Sequence, residues 1–191
     1  YCAGGVFDDM VSADNWAHEG IDYCVLFGLM SGVGEGLFDP DGMTTRAMVV
    51  SILYSMAGKP DVSELPETPF EDVKPDAWYA DAVRWAYANQ VVAGMDDTHF
   101  APDARLTRAQ LVTMLYRAYG PEKGVRPRPI GGYTDWREVP EWAYPAMTWA
   151  VSMCLISGTS SAHLSPNAGA ARAQLATIMM RTCELQGELD S

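Results

Sequence analysis

Residues 106–120, LTRAQLVTMLYRAYG, decide the organisation of this chain, because the same pattern occurs twice more. Thr45-Arg46-Ala47-Met48 precedes the apolar run VVSILYSMAG, and Ala171-Arg172-Ala173-Gln174 precedes LATIMMRTC. The three arginines, at positions 46, 108 and 172, are spaced 62 and 64 residues apart. Recurrence at a fixed long period is the signature of a repeat protein. The sequence therefore predicts three structural repeats.

Three more landmarks recur upstream of each arginine in the same order. An aromatic residue stands two positions before an aspartate, then a tryptophan follows, and a glycine later closes a short apolar piece. Between tryptophan and glycine, segments such as WYADAVRWAYANQ carry apolar residues at helical spacing and predict a first helix. The recurring glycine predicts a positive φ angle or a close backbone approach, and a C-cap of that helix.

The arginine-bearing segment predicts a second helix in each repeat, after a Phe-x-Pro or Leu-x-Pro turn. Thr45 and Thr107 occupy N-cap positions, and Thr107 with Gln110 matches a capping box. Ala171 replaces the threonine in the third copy. That helix is expected to lack a cap worth about 1 kcal/mol.

The repeats are predicted at residues 7–58, 70–120 and 133–183, with Pro- and Gly-rich linkers at 59–69 and 121–132. The second linker and its flanks, from Arg117 to Arg137, carry five of the 13 basic residues. A two-helix repeat is too small to bury its own apolar stripe, so three copies are expected to share one core. The prediction is an all-α, pseudo-threefold assembly that forms one compact unit.

Composition excludes several classes of function. The 191 residues are 48% hydrophobic with a formal net charge of −12, which fits a globular chain and argues against nucleic-acid binding or docking on anionic lipid. There is no run of 18 apolar residues, so membrane insertion is not expected. Because Tyr1 stands where an initiator methionine would be, we expect a processed product or a piece of a longer protein.

Metal, cofactor and catalytic sites are not predicted. Cys2, Cys24, Cys154 and Cys183 form no Cys-x-x-Cys pair, and the sequence does not choose among their three disulfide pairings or four free thiols. His99 and His163 occupy equivalent positions without a third ligand. The acidic residues recur with the repeat, and no two of them are placed together outside that pattern as a catalytic carboxylate pair would be. There is also no Ser/His/Asp arrangement or phosphate-binding loop. We expect a chain that is not an enzyme.

The segment FEDV…WYADAV…VVAG…F-x-PD-x-x-LTRAQ resembles the S-layer homology (SLH) module of bacterial surface proteins. The chain resembles the usual tandem triplet from Phe7 to about Arg181. The resemblance implies a three-pronged helical spindle around a central three-helix bundle, monomeric as the pseudo-trimer. It implies an extracellular, non-covalent anchor in the cell wall or S-layer. The implied ligand is a secondary cell-wall polysaccharide, often with a pyruvate ketal on a terminal N-acetylmannosamine, bound in grooves between prongs.

The family's binding residues, carried over to matching positions, are an arginine, a glycine, an aspartate and a tryptophan from each repeat. They are Arg46, Arg108, Arg172, Gly32, Gly94, Gly158, Asp9, Asp72, Asp135, Trp16, Trp78 and Trp142.

Each residue type also has a structural interpretation. The arginines, at helix starts, suit a carboxylate ligand, or they pair with an aspartate of the next repeat and lock the repeats together. The glycines admit a sugar close to the backbone or cap the helix. The tryptophans stack on a pyranose or, as we favour, pack beneath the first helix. The aspartates bind sugar hydroxyls or cap helix starts.

The chain departs from the family's TRAE motif. Its glutamate is replaced by Met48, Gln110 and Gln174, and its threonine is absent from repeat three. These departures place the third groove in doubt and motivate a second hypothesis. In that hypothesis the chain is a protein-interaction or self-assembly module, whose partners are other surface proteins and whose glycan grooves have decayed.

Overall fold

A computed structural model describes residues 3–120 and 129–190, with side chains described as far as residue 187. These residues form six α-helices, two from each repeat. They are α1 (His18–Leu26), α2 (Arg46–Met56), α3 (Ala80–Ala88), α4 (Arg108–Tyr119), α5 (Tyr144–Ser152) and α6 (Arg172–Asp190). Short 3₁₀ turns lie at Ala3–Val6, Trp136–Glu138 and Glu141–Ala143. Across the described ranges there are isolated β-bridges but no strand, so the all-α prediction is confirmed.

The predicted caps explain where the second helices begin. The Thr45 hydroxyl accepts a hydrogen bond from the Met48 N–H at 3.3 Å. Thr107 and Gln110 form the complete capping box, with bonds of 3.2 and 2.9 Å. At α6 the Gln174 side chain accepts from the Ala171 N–H at 3.3 Å, but alanine has no hydroxyl to return the bond. Helix α6 therefore has the glutamine bond of a capping box and lacks the threonine bond, and the sequence predicted the loss of the threonine cap.

The first helices end earlier than the glycine landmark indicated. Each is followed, two residues after its last, by a residue with positive φ: Gly28 (65°), Gln90 (59°) and Cys154 (58°). The predicted glycines lie four residues further on and do not have a positive φ. The interpretation of Gly32, Gly94 and Gly158 as helix C-caps is therefore wrong.

The chain divides into two compact units that cut across the repeats. Unit 1 comprises Tyr1–Thr44 and Ala170–Ser191, and α1 of repeat one packs there against α6 of repeat three. Its core includes Ile21, Leu175 and Met179. Since its two segments are far apart in sequence, its core needs both ends of the chain.

Unit 2, Thr45–Gly169, holds the other four helices. Helix α2 packs against α3, α4 packs against α5, and α2 also contacts α4. Leu53, Leu111, Leu115 and Met147 are fully buried in its core. The pseudo-threefold arrangement stays a prediction.

The first linker is tied to the helix that follows it. Arg84 of α3 donates from Nε to the Leu65 carbonyl at 3.0 Å and pairs with Glu67 at 3.2 Å. Val62 is buried. Residues 121–128 of the second linker, with three of the five basic residues counted between Arg117 and Arg137, lie outside the described residues.

Three cysteines are described, and all are free thiols. Cys24 is buried, Cys183 is half-buried and Cys154 is exposed. Burial raises the pKa of the Cys24 thiol to about 12, so that thiol stays protonated at neutral pH. Cys2 lies outside the described residues. None of the described helices is long and apolar enough to cross a membrane.

Candidate functional site

The early aspartate of each repeat holds a loop about 30 residues downstream. In repeat two the Asp72 carboxylate accepts hydrogen bonds from the N–H groups of Phe100 (2.8 Å) and Ala101 (2.7 Å). Asp9 bonds residues 38 and 39 in the same way, and Asp135 bonds residues 164 and 165, at 2.7 to 2.9 Å. Both oxygens of each carboxylate are used within the repeat. The interpretation of these aspartates as helix-start caps is therefore wrong.

The second residue of each held pair is strained. Asp39, Ala101 and Ser165 have φ of 57°, 56° and 51°, although none is glycine. A left-handed conformation of this kind costs about 1–3 kcal/mol and persists only where the surroundings impose it. The carboxylate imposes it here, because it bonds the N–H of the strained residue and of the residue before it.

The repeated arginine of one repeat reaches the same loop of the next. Arg46 donates from Nε to the Phe100 carbonyl at 2.8 Å and from Nη2 to the Ala93 carbonyl at 2.7 Å. Its guanidinium lies 4.5 Å from the centre of the Phe100 ring, within cation–π range. The Phe100 peptide unit is thus held by Asp72 at its N–H and by Arg46 at its carbonyl. We call this arrangement the Asp–Arg clamp.

The other two arginines form the same clamp. Arg172 donates to the carbonyls of Phe38 (2.8 Å) and Ser31 (2.7 Å) and lies 4.6 Å from the Phe38 ring. Arg108 donates from Nε to the Leu164 carbonyl at 2.9 Å, where no ring is available. All three arginines are buried. The predicted lock between repeats is present, but the arginines donate to backbone carbonyls instead of an aspartate carboxylate.

The clamp sets the electrostatics of its carboxylates. Burial raises the pKa of the Asp9 carboxyl, but the N–H groups of Phe38 and Asp39 and the charge of Arg172 outweigh it, so that the pKa lies below 3.8. The Asp135 pKa is lowered in the same manner, mainly by the bonds from Leu164 and Ser165. These aspartates therefore remain ionised down to acidic pH.

The repeated glycines are close-approach positions. A Cβ on Gly94 would lie 2.7 Å from Cε1 of Phe70 and 2.8 Å from the His99 carbonyl oxygen. On Gly32 it would meet Cε1 of Phe7 at 2.5 Å and the Leu37 carbonyl at 2.7 Å. The equivalent atom on Gly158 would meet carbonyls of its own loop. Only glycine fits, so one of the two predicted reasons for this residue, close backbone approach, is confirmed.

The repeated tryptophans are exposed, which contradicts the interpretation that we favoured. Trp16, Trp78 and Trp142 have 62%, 70% and 56% of their surface accessible. They do not pack beneath the first helices, because each stands just before its helix and faces outward. An exposed, rigid aromatic ring is available for contact with another molecule.

A cavity of about 200 Å³ in unit 2 brings several predicted residues together. It is lined by Arg46, Val92, Ala93, Gly94, Gln110, Thr113, Met114, Arg117 and Trp142. Three predicted residues, one from each repeat, meet there: Arg46, Gly94 and Trp142. None of the lining residues is acidic. In a chain with net charge −12, this cavity carries two cations.

A second cavity of about 390 Å³ lies in unit 1 and has the opposite character. It is lined by Asp9, Val11, Asn15, Trp16, Ala17, Asp39, Pro40, Asp41 and Ala173. It brings together the predicted Asp9 and Trp16, with further carboxylates beside them. The other predicted arginines and glycines are found in their clamps and loops.

Arg117, Gln110 and Met114 were not among the predicted site residues. They lie on α4 with Thr113 at positions 110, 113, 114 and 117, the spacing of one helical face. That spacing was readable in the sequence, but nothing local indicated that this face borders a cavity. Among the described residues no group of three His, Cys, Asp or Glu side chains is placed to hold a metal ion.

Comparison with known proteins places these repeats in a family. The sequence model of the S-layer homology domain matches residues 6–47, 69–112 and 132–176, together more than half of the chain. The chain belongs to the SLH family. The family model matches the chain three times, and each matched segment starts one residue before a predicted repeat. SLH domains in surface-layer proteins imply cell-wall anchoring. The SLH triplet is thus a cell-surface or cell-wall module.

Curated relatives of this SLH triplet are much longer proteins. The surface-layer 125 kDa protein of Lysinibacillus sphaericus is 29% identical over 93% of the chain, which spans 15% of that protein. The S-layer protein EA1 of Bacillus anthracis is 26% identical over 99% of the chain, and the match covers 21% of EA1. An amylopullulanase of Thermoanaerobacterium thermosulfurigenes is 25% identical over 92% of the chain and 9% of its own length.

Proposed function

We propose that this chain is a non-covalent cell-wall anchor that binds an anionic, pyruvylated secondary cell-wall polysaccharide. The unit 2 cavity is the binding groove that we assign to it. One observation carries the proposal: the cavity joins a buried arginine, Arg46, to an exposed tryptophan, Trp142, with no acidic side chain in its lining.

The chemistry of this cavity suits an acidic sugar. Guanidinium groups bind carboxylates through paired charge-assisted hydrogen bonds. The Trp142 ring offers a flat apolar face with a polar edge, which matches a pyranose. Gly94 lines the cavity beside Arg46, where the close packing of its own loop leaves no room for a side chain. A pyruvate ketal on a terminal sugar would present a carboxylate and a ring to these groups together.

The clamp formed by Asp72 and Arg46 holds the loop that borders this groove. Because the acceptors of Arg46 are neutral carbonyls, its positive charge is held in place without being neutralised at contact distance. Such a preorganised charge binds an anion without a further loss of side-chain entropy. Asp72 acts in the same clamp, and its carboxylate oxygens hold the loop at Phe100 and Ala101.

Catalysis is not part of the proposed function. In the amylopullulanase relative the chain matches 9% of the length, consistent with an anchor attached to a separate catalytic part. We infer that any enzymatic activity of a parent protein resides outside this triplet. No cofactor is required by the proposed binding.

Co-sedimentation with cell-wall sacculi tests the anchor. Sacculi of Lysinibacillus sphaericus are used before and after acid removal of the secondary polymer. We expect the chain to pellet with intact sacculi and to stay in solution with stripped ones. Trp142→Ala is expected to weaken pelleting about tenfold without loss of stability, because the ring is exposed. Failure to pellet with intact sacculi would refute the proposal.

Protein–protein contact is the second candidate, and an observation in unit 1 favours it. Leu26 and Phe27, at the end of α1, are 59% and 61% exposed. Adjacent exposed apolar side chains favour contact with another protein. Phe27→Ala is therefore the matched control. If it lowers self-association in light scattering while Trp142→Ala leaves sacculus binding unchanged, the second candidate replaces the first.

A further inference from the structure

Arg46 has limited capacity for a ligand. Its Nε and Nη2 already donate to two backbone carbonyls, and these atoms form one of the two edges with which a guanidinium takes a carboxylate. Its guanidinium carbon lies over the Phe100 ring, and only 8% of the residue is accessible. Arg46 therefore acts first as a clamp, and only a small accessible part of it lines the cavity.

Arg117 has the opposite properties. It lines the same cavity from the last turn of α4 and is exposed. Within the described ranges, the ion pairs that involve a basic side chain are those of Arg84 and His99, so Arg117 has no carboxylate partner there. Its five N–H donors make no hydrogen bond to the described residues and can reorient toward a ligand.

The positive charge of Arg117 acts on Arg46, with which it shares the cavity lining. Burial lowers the pKa of Arg46, the charge of Asp72 raises it, and the charge of Arg117 lowers it again. At the cavity wall the family's TRAE glutamate is replaced by the neutral Gln110, whose Oε1 accepts from the Thr107 N–H. The cavity lining therefore contains no carboxylate, and the Asp72 charge that acts on Arg46 lies outside it. An incoming anion would relieve this repulsion, which makes the cavity selective for negative charge.

We propose that Arg117 is the specificity-determining residue of this cavity, and that it pairs with the carboxylate of an acidic sugar while Arg46 holds the loop in place. This inference rests on the proposed function. It names a residue outside the repeated arginine, glycine, aspartate and tryptophan landmarks. The equivalent helix position is Ser55 in repeat one and Arg181 in repeat three, so the repeats are not interchangeable in charge at this position.

The test measures how binding depends on the charge of the ligand and on the charge at position 117. The probes are the methyl glycoside of pyruvylated N-acetylmannosamine and its uncharged methyl ester, titrated calorimetrically into the full chain. We expect wild type to prefer the acid over the ester. Arg117→Gln is expected to weaken binding of the acid about tenfold and leave the ester unchanged. Its unfolding midpoint is expected to stay equal or rise, because repulsion with Arg46 is removed.

Arg105→Gln is the matched control, because Arg105 is exposed, carries the same charge and lies outside the cavity lining. An acid-to-ester preference that survives in Arg117→Gln, or an equal loss in Arg105→Gln, overturns the assignment while sacculus binding still supports the anchor. If neither probe binds, the salt dependence of sacculus pelleting decides. The inference is supported if Arg117→Gln reduces the slope of pelleting against salt concentration and Arg105→Gln does not. Equal slopes for the two variants overturn it. Wild type that fails to pellet with sacculi removes the proposed function itself.

Discussion

A single peptide unit, that of Phe100, shows how the functional loops are built. Asp72 accepts from its N–H and Arg46 donates to its carbonyl, so two ionised side chains hold one backbone group from opposite sides. Charge-assisted hydrogen bonds of this kind are roughly twice as strong as neutral ones. They offset the left-handed strain of the next residue, Ala101. Asp72 and Arg46, which match ligand-binding positions of the family, therefore hold this loop in its conformation.

Asp72→Asn tests the clamp. The amide keeps one acceptor oxygen but turns an NH₂ toward a backbone N–H, so one of the two bonds at Phe100 and Ala101 is lost. We expect the free energy of unfolding to fall by about 1.5–3 kcal/mol, measured by urea denaturation. Asp103→Asn makes the same charge change at an exposed site and is expected to cost less than about 0.5 kcal/mol. Equal losses in the two variants would contradict the clamp.

Helix starts differ among the three repeats in a way that local chemistry explains. The threonine hydroxyl caps α2 and α4, and α4 has the reciprocal glutamine bond as well. Helix α6 keeps the glutamine bond but has Ala171 at the cap. The Arg172 clamp forms nevertheless, because its bonds depend on the neighbouring loop and not on the cap. The weak motif of repeat three therefore leaves its arginine in place.

Ala171→Thr is expected to complete the capping box of α6. The new hydroxyl would accept from the Gln174 N–H, while the Gln174 side chain already accepts from the N–H of residue 171. We expect a gain of about 1 kcal/mol in the free energy of unfolding, seen as a higher midpoint in thermal denaturation. Thr107→Ala should lower stability by a similar amount at the intact cap of α4. An unchanged midpoint for Ala171→Thr would show that the backbone there cannot adopt cap geometry.

The stability of the whole molecule depends on pH through some of its carboxylates. Asp9 and Asp135 have pKa values below the ordinary 3.8, so the native state binds fewer protons than the unfolded state in acid. The stability that they contribute is fully present above about pH 3.8. It is lost as the pH falls through their native pKa values. Loss of negative charge elsewhere in this acidic chain cannot restore those bonds.

Acid unfolding measures this linkage. Urea midpoints between pH 7 and pH 2 are expected to be constant at first and to decline below about pH 4. Asp9→Asn should be less stable at pH 7 and should show a shallower decline, because one of the shifted groups no longer titrates. Asp14→Asn is a poor control, since Ser12 also lowers the pKa of that carboxyl. Asp103→Asn, at an exposed site, is the better control. If Asp9→Asn leaves the decline of the urea midpoint with pH unaltered, the linkage of stability to Asp9 is contradicted.

The sequence by itself determined the repeats, the all-α class, the two helices of each repeat and the threonine N-caps of α2 and α4. The repeats were visible as recurrence at 62 and 64 residues. The helices and N-caps depend on spacings of three and four residues and on capping side chains, which act locally. The family followed from the same landmarks. Helix ends were placed less well, because Gln90 and Cys154 adopt left-handed conformations that are usual for glycine.

Only the tertiary structure decided what the landmark side chains contact. The aspartates bond N–H groups 28 to 30 residues away, and Arg172 bonds carbonyls 134 and 141 residues away. The tryptophans proved to be exposed, and Arg117 proved to share a cavity with Arg46. A helical period shows which residues share a face, but not what that face meets. Partners so distant along the chain come together only when the loops and helices pack.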